Sequence, residues 1–478
     1  METFVITGGK KLEGTVTVTG AKNAALKVLV VACLTEEKVT IHNLPLIADV
    51  FVMLDIMKEL GAAITLSGHT VTVQLKQFKQ SSISLEKAAL ARASTLFIAP
   101  LLARTGEAII PNPGGCRLGA RPIDRTVEGI EAMNVAITYN SKDGYFHAKA
   151  HCDDLGKRPI DRTLQGLSHM GTDISYDKEE RKYHAKGFLQ ATNYHFEKNT
   201  HSGTETMIIA AALAQGTTVL ENAAEEPEID DTIALLNQMG GNIKRTGTRQ
   251  ITIVGVEKLH GTEFTISPDR IEVATFAIAA VITGGDILVK DGQKAAIEPF
   301  LDKFKQTGAG YEIQDKGIRF YANGTLKSVD VTTGVHPGFL TDWQAPWAVL
   351  MTQATGDAII HETVFEDKLR YVKDLKKMGA KMTLFNPTVA EPEKVYNFNL
   401  EDNRPEYFHA VKISGPTKLH NAVMKALDIR AGAAVVIAAL AAEGTSTIFD
   451  IDKLDRGYEK FEERLSALGA DIKRVQEE

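Results

Sequence analysis

The chain has 478 residues, more than one ordinary core at roughly 100–200 residues per domain, and so points to two or three domains. Its 54 Lys and Arg against 61 Asp and Glu leave a net charge of −7, so no global positive field draws in nucleic acid or anionic lipid. A hydrophobic fraction of 44%, a charged fraction of 24% and no biased tract exclude wholesale disorder.

The longest apolar stretch, Ala431 to Ala442, falls short of the roughly 20 residues that span a bilayer. Met1 to Gly20 lacks a basic, then apolar, then small-residue leader pattern. Cys33, Cys116 and Cys152 form no CxxC pair and fit a reducing compartment. A cytoplasmic protein is expected, with neither membrane nor nucleic acid as a partner; the oligomeric state stays open.

In chain order, an alternating strand over Thr15 to Thr19 runs through Gly20-Ala21-Lys22-Asn23 into an apolar helix from Ala24 to Leu34. A strand over Lys38 to Ile41 follows, then an amphipathic helix from Asp49 to Leu60 that closes on Gly61. The closing phrase recurs at Met239-Gly240, Thr307-Gly308, Met378-Gly379 and Leu468-Gly469, and Asn134 holds the glycine's place after Met133. The markers at 61, 134, 240, 308, 379 and 469 are mostly about 70 residues apart, too long for a helical solenoid. Six units, each a βαβ element plus a helix and a returning strand, divide most simply into two halves of three, with ligands between them.

One stretch breaks the rhythm. Leu118-Gly119-Ala120-Arg121-Pro122-Ile123-Asp124-Arg125-Thr126 is nearly restated at Leu155-Gly156-Lys157-Arg158-Pro159-Ile160-Asp161-Arg162-Thr163. The match continues without a gap to His147-Ala148-Lys149 against His184-Ala185-Lys186, at an offset of 37 residues. That is about half a unit, the size of one helix and one hairpin, and it reads as a tandem duplication or as surface decoration.

Several residues carry candidate chemistry. Lys22 and free backbone amides meet at a helix start, a geometry that binds anions, although a solvated lysine there is commoner. Cys116 lies in a Pro- and Gly-rich loop, Pro111 to Gly119, where Arg117, Arg121 and Arg125 lower a thiol pKa; it is a nucleophile, a proton donor or an incidental loop cysteine. Asp342 precedes an aromatic helix start and is an N-cap or a general base. Asp428-Ile429-Arg430 and Asp455-Arg456-Gly457-Tyr458 are internal ion pairs or parts of a site. His147, His151, Cys152 and Asp153 lack metal-ligand spacing. No GxxxxGK[ST], GxGxxG or GxSxG motif is present.

Taken in order, these pieces resemble the enolpyruvyl transferases. The matching residues are Gly20-Ala21-Lys22-Asn23-Ala24-Ala25-Leu26, Arg92-Ala93-Ser94, Pro113-Gly114-Gly115-Cys116, Gly119-Ala120-Arg121-Pro122-Ile123-Asp124, Glu221-Asn222-Ala223-Ala224, Pro268-Asp269-Arg270-Ile271-Glu272, Thr341-Asp342-Trp343-Gln344-Ala345, Asp428-Ile429-Arg430-Ala431 and Asp455-Arg456-Gly457-Tyr458. The resemblance covers nearly the whole chain and is closer to the nucleotide-sugar branch than to the shikimate-pathway synthases. It implies an α/β (α+β) fold, a two-domain inside-out α/β barrel of six βαβαββ-type repeats with the active site in the interdomain cleft. One domain is then discontinuous, 1–21 plus 267–478; the other, 22–266, carries the Cys116 loop and the repeated segment at about 155–187.

The activity implied is transfer of the enolpyruvyl group of phosphoenolpyruvate to the 3-hydroxyl of UDP-N-acetylglucosamine with release of phosphate, the first committed step of peptidoglycan synthesis. By the resemblance Lys22, Arg121 and Arg456 hold phosphoenolpyruvate and Arg92 helps bind phosphate groups. Asp428 and Arg430 support the site, and Asn23 positions the acceptor. Asp342 takes the acceptor hydroxyl's proton, and Cys116 acts as general acid or assists product release. Arg121-Pro122-Ile123-Asp124 and Lys198 face the uridine. No metal or organic cofactor is implied.

The chain departs from the family pattern where Lys27 replaces Pro, Arg125-Thr126 replaces Leu-His and Lys368 replaces Arg. It departs again where Lys198-Asn199-Thr200-His201-Ser202-Gly203-Thr204 replaces Lys-Val-Ser-Val-Gly-Ala-Thr, and an extension lengthens Phe385 to Pro416. These changes keep open a paralogous transferase with another nucleotide or nucleoside acceptor, and a catalytically silent homologue.

Overall fold

The computed structural model describes residues 2–111, 136–140, 145–149, 159–177 and 182–476. They form six sheets and one separate hairpin. In the sheet of Glu263–Thr265, Val39–His42, Thr70–Gln74 and Ala63–Ser67 the first pair is parallel and the next two are antiparallel. The same order recurs in Asn193–His195, Thr217–Glu221, Gln250–Val254 and Asn242–Gly247. It recurs again in Glu13–Thr17, Asp286–Lys290, Gly317–Tyr321 and Gly310–Gln314, and in Val331–Thr332, Gly356–His361, Ala410–Gly415 and Lys381–Phe385. The fifth set is Val423–Lys425, Thr445–Phe449, Glu2–Thr7 and Asp471–Gln476.

The recurring glycine of the sequence ends the helix that precedes an edge strand in each of these five sheets. Gly61, Gly240, Gly308, Gly379 and Gly469 have φ of 110°, 96°, 83°, 91° and 102°, the left-handed turn that stops a helix and that a side chain would strain.

The sixth sheet corrects one expectation. Its strands are Glu107–Pro111, Lys182–Lys186 and Asp173–Asp177, with Ser82 bridged to Ile109 at the edge. The returning hairpin thus comes from the second copy of the repeated segment, and the helix stop is Gly171, at φ 85°. Asn134, expected to mark this unit, lies outside the described residues. The helix of the second copy, Pro159–His169, sends Leu167 into the core, and Met170 just after it and Ala185 are buried with it. The strands of the first copy, Ala136–Asn140 and Tyr145–Lys149, pair with each other and, among the described residues, with no other strand.

Two cores form. One joins residues from Phe4 to Val18 with residues from Ile271 to Ile472; the other runs from Ala21 to Ile266. At the centre of the first lie three helices, Arg270–Ile282, Gln344–Gln353 and Ile429–Ala441, packed on one another and buried on nearly every side. Their residues are apolar all round, and such a helix is stable only with its whole surface covered. Sheets outside and helices inside match the expected inside-out arrangement, but the sheets stay separate: among the described residues no set of strands closes into a barrel. No helix among the described residues is long and apolar enough to cross a membrane.

Leu167→Ala is expected to lower stability by about 2–5 kcal/mol, the usual range for truncating a buried leucine. Excising residues 119–155, which joins Leu118 to Gly156 and leaves a single copy, is expected to retain one cooperative transition of similar midpoint. Chemical denaturation followed by far-UV circular dichroism checks both.

Candidate active site

The chain crosses between the two cores twice, side by side. Gly20 bridges to Pro268, and a Cβ on Gly20 would lie 1.9 Å from the carbonyl oxygen of Asn43, so the crossing admits only glycine. The Ala21 amide donates to the Ser267 carbonyl at 2.7 Å, and the Lys22 amide donates to Asp269 Oδ2 at 3.1 Å. Asp269 Oδ1 caps the helix Arg270–Ile282, accepting from the Ile271 amide at 2.7 Å and the Glu272 amide at 3.3 Å. One carboxylate therefore ties both crossings and fixes where the first helix, Lys22–Val31, begins.

Lys22 is buried, and its ammonium lies 2.7 Å from Asp49 Oδ2. Asp49, in the first turn of the helix Ala48–Glu59, also accepts from Arg456 Nε at 2.8 Å through Oδ1. It is the shared counter-ion of two cations that belong to different cores. Burial pushes the Lys22 ammonium down to about 8; Asp49 opposes the shift, and Arg430 and Arg456 add to it. Lys22 is therefore charged at neutral pH and loses its proton in the mildly alkaline range.

A second acid-and-cation group faces the first. Asp428 caps the helix Ile429–Ala441, accepting from the Arg430 and Ala431 amides at 2.8 and 2.9 Å, which fixes where Arg430 leaves the helix. Arg430 is buried, its guanidinium 5.3 Å from the ring centre of Tyr458 and its Nε 3.5 Å from Asp342 Oδ2. Its Nη1 is buried without a hydrogen-bond partner among the described residues. Tyr458 is in turn held by Thr275, hydroxyl to hydroxyl at 2.8 Å.

Asp342 sits in the short turn Thr341–Trp343 with Lys368 Nζ 4.0 Å from Oδ1. Burial raises its pKa, but Arg430, Lys368 and Lys22 outweigh burial and hold the carboxyl below its ordinary value. The group is an ionised acceptor at neutral pH.

The structure thus brings together Lys22, Asp342, Asp428, Arg430 and Arg456. Asn23 is half-buried beside Lys22, with no side-chain hydrogen bond among the described residues. Arg92 is exposed at the start of the turn Arg92–Phe97, and no contact among the described residues joins it to this cluster. Cys116, Arg121, Pro122, Ile123 and Asp124 lie outside the described residues, as do the side chains of His147, His151, Cys152 and Asp153. Cys33 is sealed in the core, its thiol pushed up to about 12 by burial.

Lys198, expected on the uridine, donates to backbone carbonyls of the extension: to Glu393, and to Tyr396 at 2.9 Å. Asn397 Nδ2 donates to the Asn199 carbonyl at 2.9 Å, and Arg162 Nη2 donates to Asn399 Oδ1 at 2.7 Å. The extension of one half therefore docks on the loop of the other that departs most from the family pattern.

Two members of the cluster escaped the sequence reading. Asp49 reads there as an ordinary helix-start acid. Lys368 stands out only as a replacement for arginine, although that replacement keeps its charge on Asp342.

A family model described as EPSP synthase (3-phosphoshikimate 1-carboxyvinyltransferase) matches residues 6–153 and 152–465, dividing between the two copies of the repeat. A protein of Magnetococcus marinus named UDP-N-acetylglucosamine 1-carboxyvinyltransferase is 38% identical over 477 residues, covering 99% of this chain and 100% of the relative. One from Koribacter versatilis with the same name is 37% identical over 481 residues, covering 100% of this chain and 97% of the relative. Among solved structures, the enolpyruvyl transferase NikO from Streptomyces tendae superposes with a TM-score of 0.81 at 20% identity, covering 100% of this chain and 99% of that one. EPSP synthase from Acinetobacter baumannii gives 0.70 at 19% identity, with 100% of both chains covered.

Asp49→Ala strands two cations, one of them buried, and is expected to lower stability by about 3–5 kcal/mol. Lys22→Met combined with Asp49→Leu is expected to recover most of that loss, as urea denaturation of the single and double variants will show.

Proposed function

Since this chain belongs to the EPSP synthase family of enolpyruvyl transferases, we propose that it transfers the enolpyruvyl group of phosphoenolpyruvate to the 3-hydroxyl of UDP-N-acetylglucosamine and releases phosphate. The observation that carries this reading is end-to-end similarity at 37–38% identity to relatives of that name, in a chain whose cleft gathers Lys22, Arg430 and Arg456 on carboxylates. The same relatives favour UDP-N-acetylglucosamine over another nucleotide acceptor. The step is the first committed one of peptidoglycan synthesis, and a cytoplasmic site of action and an influence on cell shape and division follow from it.

The chemistry accounts for the residue types. The acceptor oxygen bonds to the central carbon of phosphoenolpyruvate as its hydroxyl proton passes to Asp342, while the methylene carbon gains a proton. The tetrahedral adduct then loses a proton from that carbon and expels phosphate, restoring the double bond. Substrate carboxylate and phosphate must be held together, which places Lys22 and Arg456 on phosphoenolpyruvate, with Arg430 Nη1 as a further donor. Arg121 joins them, Cys116 serves as general acid or assists product release, and Asn23 and Arg92 contact acceptor or phosphate; these roles rest on the family resemblance. Side chains supply every proton and every charge, and closure of the halves excludes water.

The acceptor hydroxyl is a far weaker acid than the low-pKa carboxyl of Asp342, so proton transfer is driven by bond formation to carbon, not by basicity. Asp342→Asn is expected to lower kcat about 100-fold or more with KM for phosphoenolpyruvate changed far less. Phosphate release is expected with UDP-N-acetylglucosamine, together with a product heavier by one carboxyvinyl group in the mass spectrum. Release with a different nucleotide only, or with none, would refute the assignment.

A further inference from the structure

Glu362 follows the strand Gly356–His361 and is fully buried. Its Oε2 accepts from Thr341 Oγ1 at 2.8 Å and from Gln344 Nε2 at 3.0 Å. Its Oε1 accepts from the amides of Val364 at 2.8 Å and Phe365 at 3.0 Å. The first pair of donors brackets Asp342, in the turn Thr341–Trp343 and at the start of the helix Gln344–Gln353. The second pair opens the loop that carries Lys368, whose Nζ lies 5.4 Å from the centre of the Phe365 ring and 4.0 Å from Asp342 Oδ1. One buried carboxylate therefore joins the two segments that bring Asp342 and Lys368 together.

The joint is itself held firmly. The Glu362 amide donates to the His409 carbonyl at 2.7 Å. Next to it, the Thr363 amide donates to Thr333 Oγ1 at 2.8 Å, and Thr363 Oγ1 donates to the Thr333 carbonyl at 2.6 Å. The buried Tyr371 hydroxyl donates to Gln344 Oε1 at 2.9 Å, which turns the amide nitrogen of Gln344 toward Glu362. Among the described residues Glu362 is in no ion pair, so four hydrogen bonds compensate its burial. Burial raises its pKa, and the Phe365 and Val364 amides, the Thr341 hydroxyl and Lys368 draw it back only in part. Burial also works against the Lys368 ammonium, but Asp428, Asp342 and Glu362 outweigh it and keep that group charged.

We propose that Glu362 is a positioning residue for the transfer: by tying the turn of Asp342 to the loop of Lys368, it fixes the spacing between the carboxylate that takes the acceptor proton and the cation that faces it. The inference rests on the function proposed above. Glu362 acts through Thr341 and Gln344, and it exchanges no proton with substrate. A displacement of about 1 Å at a reacting group costs up to about 100-fold in rate, so the loss of this joint is read in turnover before it is read in binding.

The test is steady-state phosphate release by the full chain from phosphoenolpyruvate and UDP-N-acetylglucosamine, with urea denaturation of each variant alongside. Glu362→Gln keeps the shape but turns one acceptor oxygen into a donor, so it can serve the Val364 and Phe365 amides or the Thr341 and Gln344 side, not both. It is expected to lower kcat about tenfold or more, with KM for phosphoenolpyruvate within about twofold. Glu362→Gln combined with Gln344→Glu exchanges donor and acceptor across the joint and is expected to restore kcat to within about threefold of wild type. Tyr371→Phe leaves Glu362 in place but frees the Gln344 amide to turn, and is expected to lower kcat about threefold at unchanged KM. A purely structural Glu362 would lower stability without separating kcat from KM. Wild-type kcat in a folded Glu362→Gln variant, or an exchange that restores stability without kcat, overturns the proposal. Where Glu362→Gln does not fold, wild-type kcat in Tyr371→Phe overturns it. A wild-type protein that releases no phosphate with UDP-N-acetylglucosamine overturns the function itself, and this inference with it.

Discussion

Cations gathered from two separately cored halves can share one cleft only if carboxylates keep them apart. Asp49 performs that task between Lys22 and Arg456, and Asp342 performs it between Arg430 and Lys368. The attraction also works across the cleft, since Asp49 and Arg456 belong to different cores. A ligand carrying a carboxylate and a phosphate can then displace part of this pairing without leaving any cation buried and uncompensated. On the proposed function, this arrangement is an anion site preorganised by its own counter-ions.

The backbone supplies the precision. Asp269 ties the two crossings, so the start of the first helix and the start of the helix Arg270–Ile282 move as one piece. Gly20 allows the close approach that brings them together. Other links span the halves at a distance from the reacting groups: Glu459 accepts from the Leu46 amide at 2.8 Å and lies 2.9 Å from His69 Nε2. The extension around Tyr396 adds a third set, on Lys198 and Asn199.

The repeating unit was legible because its period is written in glycines that must adopt a left-handed turn, and the central helices because their residues are apolar all round. The second unit was misplaced by one copy. Asn134 looked like its marker, but the sheet takes Gly171, a choice made by which hairpin packs on Glu107–Pro111 and therefore invisible to local pattern. Lys22, Asp342, Arg430 and Arg456 could be named because each stands in a motif. Asp49 could not, because an acid in a first helical turn has an adequate local explanation, and its value comes from Arg456, 407 positions away.

The most direct test of the shared-carboxylate account is the pH dependence of phosphoenolpyruvate affinity in the wild type and in Asp49→Asn. Lys22 must carry its proton to hold an anion, so wild-type affinity is predicted to be flat below about pH 8 and to weaken above it. Asp49 supports the charged form of Lys22, so Asp49→Asn is predicted to move that midpoint to lower pH. A midpoint that stays where it was, or affinity that does not weaken through this range in the wild type, would contradict the account.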